Sequence, residues 1–152
     1  MVSLGVRPSR YTLEAIEATK EFVINLISEE LNPHCDYCGV VSGRDIDKFD
    51  RTGLTPTKAS GLHTAPVIAE SRLTRSCRVI DKKDLGSQVH YMAEVVGVDA
   101  AEVLFDKGGA LHLDRARLVS YVHGDYYSLG EKLGFFGYSV AKPDVLKRRM
   151  EK

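Results

Sequence analysis

The residues best equipped for chemistry stand close together near the start of the chain. Ser9, Arg10, Tyr11 and Thr12, with Arg7 just ahead of them, supply hydroxyls and two guanidiniums in one short run. Val2, Leu4 and Val6 alternate with Ser3, Gly5 and Arg7, the period of two that marks a half-buried strand. Pro8 cannot donate to a ladder and holds Arg7 extended, so the strand should stop there. Thr12 is then placed to act as an N-cap, and Leu13 and Ile16 share the apolar face of the helix that follows. Free amides, a positive dipole end, hydroxyls and guanidiniums converge on one spot, which suits an anionic phosphate. Glu14, in the first turn, would repel such a phosphate if it faced inward. A capped helix with solvated arginines would use the same residues.

A second cluster is HCDYC, with His34, Cys35 and Cys38. Its CxxC spacing fits a redox pair or half of a metal site. A structural zinc needs four ligands, and only Cys77 and scattered histidines remain to complete it. Buried or surface thiols are the plainer reading. His63, His112 and His123 read as structural or solvent-facing.

The composition sets the frame for these residues. The chain has 152 residues, enough for one domain with a real core. Lys and Arg total 21 and Asp and Glu total 21, so no basic excess points to nucleic acid or a membrane surface. No apolar run approaches a bilayer span, and no leader precedes a cleavage site. Three cysteines without a leader fit a reducing cytoplasm better than a disulfide framework.

The elements that must position the candidates follow in order. Phe22 to Ile27 reads as a strand covered on both faces. Glu29 to Leu31 and the segment around Asp36 to Val41 read as a short helical excursion broken at Pro33. Asp45 to Asp50 should form a helical turn stopped by Gly53. Thr52 to Pro66, rich in Gly, Pro, Thr and Ser, reads as a long surface loop of the kind that serves as a lid or binding loop. Leu73, Cys77 and Val79 alternate with Thr74, Ser76 and Arg78, although Arg75 falls on the apolar side. A turn over Lys82 to Gly86 and a partner strand over Val89 to Val98 complete a hairpin. Glu102 to His112 is a polar excursion, and Leu118 to Val122 another strand. Short strands, small helices and glycine-rich connections predict a mainly β protein, a β-barrel with short helical insertions.

Taken in order, SLGVRPSRYTLEAI, EFVINL, DYCGVVSGRDIDKFDRTGLTP, APVIAES, LGS with AEVV, and YYSLGEKLGFFGYS resemble the flavin reductase-like family, to which flavoredoxin is related. The resemblance implies a single domain over 1–152 with the FMN-binding split-barrel fold, and FMN as cofactor. It places the flavin phosphate at Ser9 to Thr12, with Arg7 flanking, and directs Lys48 of DIDKF toward the flavin. A cation on the N1 and O2 side of the ring would stabilise its anionic reduced form; otherwise Lys48 is a solvated neighbour of Asp45 and Asp47. Met1 stands where the family's second or third barrel strand usually starts, so a chain lacking the family's opening segment, or a start codon assigned too late, is expected. Relatives commonly carry a histidine at the position of Gln88. Glutamine can hydrogen-bond there but cannot carry charge near neutral pH, and His90 should share its face of the sheet. The tail aromatics Tyr126, Tyr127, Phe135, Phe136 and Tyr138 read as a homodimer seam, with Lys132 and Gly134 as lesser cofactor candidates.

The implied function is FMN-dependent electron transfer from NADH or NADPH to flavin, ferric iron or a protein acceptor, with no acid or nucleophile required of the protein. No GxGxxG fingerprint accompanies it. A non-catalytic FMN carrier, and a pyridoxal- or pyridoxamine-phosphate oxidase-like barrel, are the alternatives.

Overall fold

Val2, Leu4 and Val6 of β1 (Val2–Val6) pack toward the core, while Ser3 and Gly5 take the opposite face. The computed structural model describes residues 1–151, and in it β1 is the edge of a curled four-stranded antiparallel sheet. The strand order is β1-β6-β5-β2, with β2 at Glu21–Asn25, β5 at Leu73–Asp84 and β6 at Val89–Ala100. Two smaller sheets accompany it, β3 (Pro56–Lys58) with β4 (Pro66–Ile68), and β7 (Val119–Val122) with β8 (Asp125–Ser128). The expected mainly β architecture with short helices is what the chain adopts. Among the described residues no helix is long and apolar enough to cross a membrane.

The main core lies where α1 (Tyr11–Thr19) crosses the sheet. Ile16 packs there with Val6, Phe22, Cys77, Tyr91 and Ala93. The Tyr91 hydroxyl donates to Glu17 at 2.6 Å, so the ring is buried without orphaning its polar end.

The β5–β6 hairpin is longer than its sequence pattern suggests. Lys82 to Asp84 continue the strand, and the reversal falls on residues 85–88. Register shifts at Ser76/Cys77 and Val79/Asp81 bend the pair. The first half of β5 is also covered on both faces: Leu73 packs with Leu104 and Ala116, while Thr74 borders a cleft beside β4. That double cover and the bulge explain why strict alternation fails and Arg75 stays exposed.

Three further expectations are corrected. Pro33 does not break a helix but opens one, α2 (Asn32–Val40), because the first turn needs no donor from it. Thr52 to Pro66 is not a bare loop: it contains β3, and Ala59 and Leu62 bury themselves with Val67. Its approach to the sheet uses Gly97, where a Cβ would stand 2.6 Å from the Ser60 carbonyl oxygen. The turn before Gly53 is α3 (Lys48–Thr52), shorter than predicted, with Asp47 accepting from the Phe49 and Asp50 amides. Gly53 closes it at φ 71°, as its residue type anticipates. The chain ends in α4 (Pro143–Met150).

Candidate functional site

The loop that leaves β1 is a tight turn closed by the Arg10 amide on the Arg7 carbonyl at 3.0 Å. Because the turn finishes so soon after Pro8, α1 begins two residues earlier than predicted. Arg10, not Thr12, holds the N-cap position, and it offers no side-chain acceptor. Thr12 therefore lies in the first turn of the helix. Every residue from Arg7 to Thr12 is exposed. Among the described residues, the Arg7 and Arg10 guanidiniums and the Ser9, Tyr11 and Thr12 hydroxyls have no protein partner. The first-turn amides of Tyr11 and Thr12 likewise have no acceptor within the helix. Cation, hydroxyl and amide donors thus face solvent together at the positive end of α1.

One residue that organises this loop was not anticipated. Arg44 donates to the Ser9 carbonyl at 3.1 Å, pairs with the Glu14 carboxylate, and lies 5.4 Å from the centre of the Tyr11 ring. Glu14, the group expected to oppose an anion, is thereby matched by a cation. Gly43 makes the approach: a Cβ there would stand 3.0 Å from Tyr11 Cδ1 and 3.9 Å from Lys48 Cε. The Gly-Arg pair ahead of a capped helix was the available signal.

Lys48 comes to the same neighbourhood, across Gly43 from Tyr11. It is half-buried, and its Nζ donates to the Cys38 carbonyl near the end of α2 at 2.5 Å. It is therefore held in place rather than freely solvated among Asp45 and Asp47.

Gln88 lies at the end of the β5–β6 hairpin, beside Val89, which pairs with Val6 at the end of β1. Its Oε1 occupies the space over Gly5, 2.3 Å from where a Cβ would be. His90 shares that face, bonded to Ser3 Oγ at 2.7 Å. This is the face of β1–β6 opposite the buried Val6 and Tyr91, so Gln88 borders the start of the β1–α1 loop without joining its donors.

Some of the other candidates have structural partners. His112 contacts Asp106 at 2.9 Å, and this bond, with the amides of Ala110 and Gly108, holds the Asp106 carboxyl at about 2. Tyr126 packs on Tyr121 and donates to Asp36 at 3.2 Å, whereas Leu133, Phe136 and Val140 stand exposed. Cys35, Cys38 and Cys77 are free thiols. Among the described residues no group of three or more His, Cys, Asp or Glu side chains is arranged to hold a metal. A cleft of about 380 Å³ opens at the β3–β4 arm, beside Thr74 and Asp99, away from the loop.

A family model, described as the flavin reductase like domain, matches residues 1–130. Flavoredoxin of Desulfovibrio vulgaris (Miyazaki F) superposes with a TM-score of 0.79 at 26% identity, covering 88% of this chain and 72% of that one. Flavoredoxin from Methanosarcina acetivorans gives 0.81 at 25% identity, covering 91% and 75%. An FMN-binding domain of a flavin reductases-like enzyme from Shewanella baltica gives 0.74 at 24% identity, covering 88% and 72%, a likeness of fold. A relative from Aquifex aeolicus is 24% identical over 116 residues, which are 76% of this chain and 59% of that protein's length.

Proposed function

We propose, from the premise that the chain belongs to the flavin reductase-like domain family, that its β1–α1 loop receives the phosphate of FMN. The supporting observation is the set of unpartnered donors at Arg7, Ser9, Arg10, Tyr11 and Thr12, gathered at the N-terminus of α1 with Glu14 already matched by Arg44. A phosphate dianion needs several short, charge-assisted bonds, and guanidinium, hydroxyl and amide donors supply them. Bound there, FMN supplies electron transfer from NADH or NADPH to free flavin, ferric iron or a protein acceptor.

The chain's own residues bind and tune. Arg10 and Thr12 anchor the phosphate, and Arg44 fixes the loop that presents them. Lys48, tethered to the Cys38 carbonyl, places a cation where reduced flavin is anionic. No residue is asked to be a nucleophile or a general acid. The exposed Leu129, Leu133, Phe136 and Val140 support a homodimer, in which the tail of one protomer covers its partner. We place the protein in the cytoplasm, because three free cysteines suit a reducing compartment better than a disulfide framework does.

The test is titration of the purified chain with FMN, followed by visible absorbance and flavin fluorescence, on wild type and on R10A and T12A. Saturable binding that weakens in both variants is expected; a chain that stays colourless in excess FMN sinks the reading. Gln88 favours a second reading, an FMN carrier without nicotinamide turnover, because an amide cannot exchange a proton near neutral pH. Tight FMN binding without NADH or NADPH oxidation would select that carrier.

A further inference from the structure

The flavin reading leaves the CxxC of α2 without a role, although the helix arranges the pair for one. Cys35 and Cys38 are half-buried free thiols one turn apart. Helix rise and radius set Cα atoms three residues apart at about 5 Å, inside the roughly 4.4–6.8 Å that a disulfide spans. Their Cβ atoms, about 5–6 Å apart on a helix surface, are wider than the ~3.8 Å of a relaxed bridge. Closure must therefore distort that turn, and a strained bridge is an easily reduced one. The end of α2 can yield: Gly39 follows Cys38 with nothing within 4 Å of its Cβ position, and the helix stops at Val41. Cys77 is wholly buried in the sheet core.

We propose that Cys35 and Cys38 form a reversible dithiol–disulfide site that exchanges with small-molecule disulfides. Cys38 thiolate attacks one sulfur of the small disulfide; that S–S bond breaks, one thiolate leaves and takes a proton, and a mixed disulfide remains on Cys38. Cys35 loses its proton to water and attacks Cys38 Sγ, which expels the second small thiol. Two protein thiols are oxidised to one disulfide, and one small disulfide is reduced to two thiols. The order follows from environment: burial pushes the Cys35 thiol up, and neighbouring Cys38 and Asp36 add to it, which assigns the first attack to Cys38.

Closure reaches the candidate site through one bond. The Cys38 carbonyl holds Lys48 Nζ at 2.5 Å, so distorting the turn releases Lys48. This second step rests on the flavin reading; the exchange itself does not.

The experiment treats the full chain with oxidised glutathione, alkylates under denaturing conditions, and weighs the intact protein. Wild type should lose two hydrogens, retain no glutathione, keep only one alkylatable thiol and form no disulfide-linked dimer. C35S should trap glutathione on Cys38, and C38S should trap none. Retained glutathione on wild type, a covalent dimer, three free thiols, or an adduct on C38S but not C35S would each overturn the proposal. FMN affinity of oxidised and reduced protein reads the Lys48 link: a change of about threefold or more, absent in K48M, is expected. Equal affinities break that link. A chain that closes yet binds no FMN refutes the flavin reading alone.

Discussion

Arg44 Nη1 lies 3.1 Å from the carbonyl oxygen of Ser9, across a sequence separation of 35 residues. The same guanidinium meets Glu14 and the Tyr11 ring. With side-chain exposures of 44% and 57%, the Arg44–Glu14 pair contributes little stability by itself. Its value lies in holding the β1–α1 loop in one shape and, under the proposed function, in screening a carboxylate close to the flavin phosphate.

R44A should therefore weaken FMN binding by about tenfold, which corresponds to roughly 1.4 kcal/mol, with little effect on folding. R44K keeps the charge but not the fork that reaches two acceptors at once, so it should fall between. Quenching of flavin fluorescence measures both. Equal affinity in R44A and wild type would remove Arg44 from the site.

Much of this arrangement was legible in the sequence because it is local. Alternation in Val2 to Val6, the stop at Pro8 and the apolar spacing of Leu13 and Ile16 fix strand, loop and helix within a few residues of one another. Gly53 is equally local, since a left-handed residue ends α3 there. What was missed depends on distant partners. Arg44 reads as a surface charge until α1 and α3 are placed. The order in Thr52 to Pro66 comes from Glu21 and Gly97, on strands far away in sequence. Pro33 was misread for another reason: its meaning reverses between the interior of a helix and its first turn.

Lys48 gives the prediction closest to the chemistry. A cation positioned beside a bound flavin favours the reduced, anionic form, and its Cys38 tether keeps it from turning to solvent. K48M should make the bound flavin harder to reduce, by about 30 mV for a two-electron couple if the cation contributes roughly 1.4 kcal/mol. Spectroelectrochemical titration reads this directly. An unchanged potential with unchanged affinity would return Lys48 to a purely structural role.

Gly97 and Gly39 make a matched pair for testing the packing. At Gly97 a Cβ would meet Ser60 backbone oxygen at 2.6 Å and Ser60 Cβ at 2.9 Å, so G97A must push the Thr52–Pro66 segment off β6. A loss of ~1–3 kcal/mol is expected from urea unfolding. Gly39 lies in α2 with open space around it, and G39A should instead stabilise by about 0.5–1 kcal/mol. Stability unchanged in G97A would mean that the segment is not held against the sheet.

Glu21 sets how that segment responds to acid. It is only 7% exposed, and its carboxylate accepts from the amides of His63, Thr64 and Ala65 and from the Thr64 hydroxyl. Burial pushes this carboxyl up, but the hydrogen bonds of Thr64, His63 and Ala65 outweigh it and hold it at about 2, against 4.5 for a free side chain. The folded value is depressed, so the contribution is complete above 4.5 and disappears as pH falls toward 2. E21Q keeps the shape but loses the charge and an acceptor, and should cost about 2 kcal/mol at neutral pH. Glu17 and Asp106 are held at about 2 as well, so wild type loses stability in this window for several reasons. The difference between wild type and E21Q, followed by urea unfolding from neutral pH into acid, isolates Glu21: it should shrink toward zero. A constant difference across that range would mean that the Glu21 charge plays no part in holding the segment.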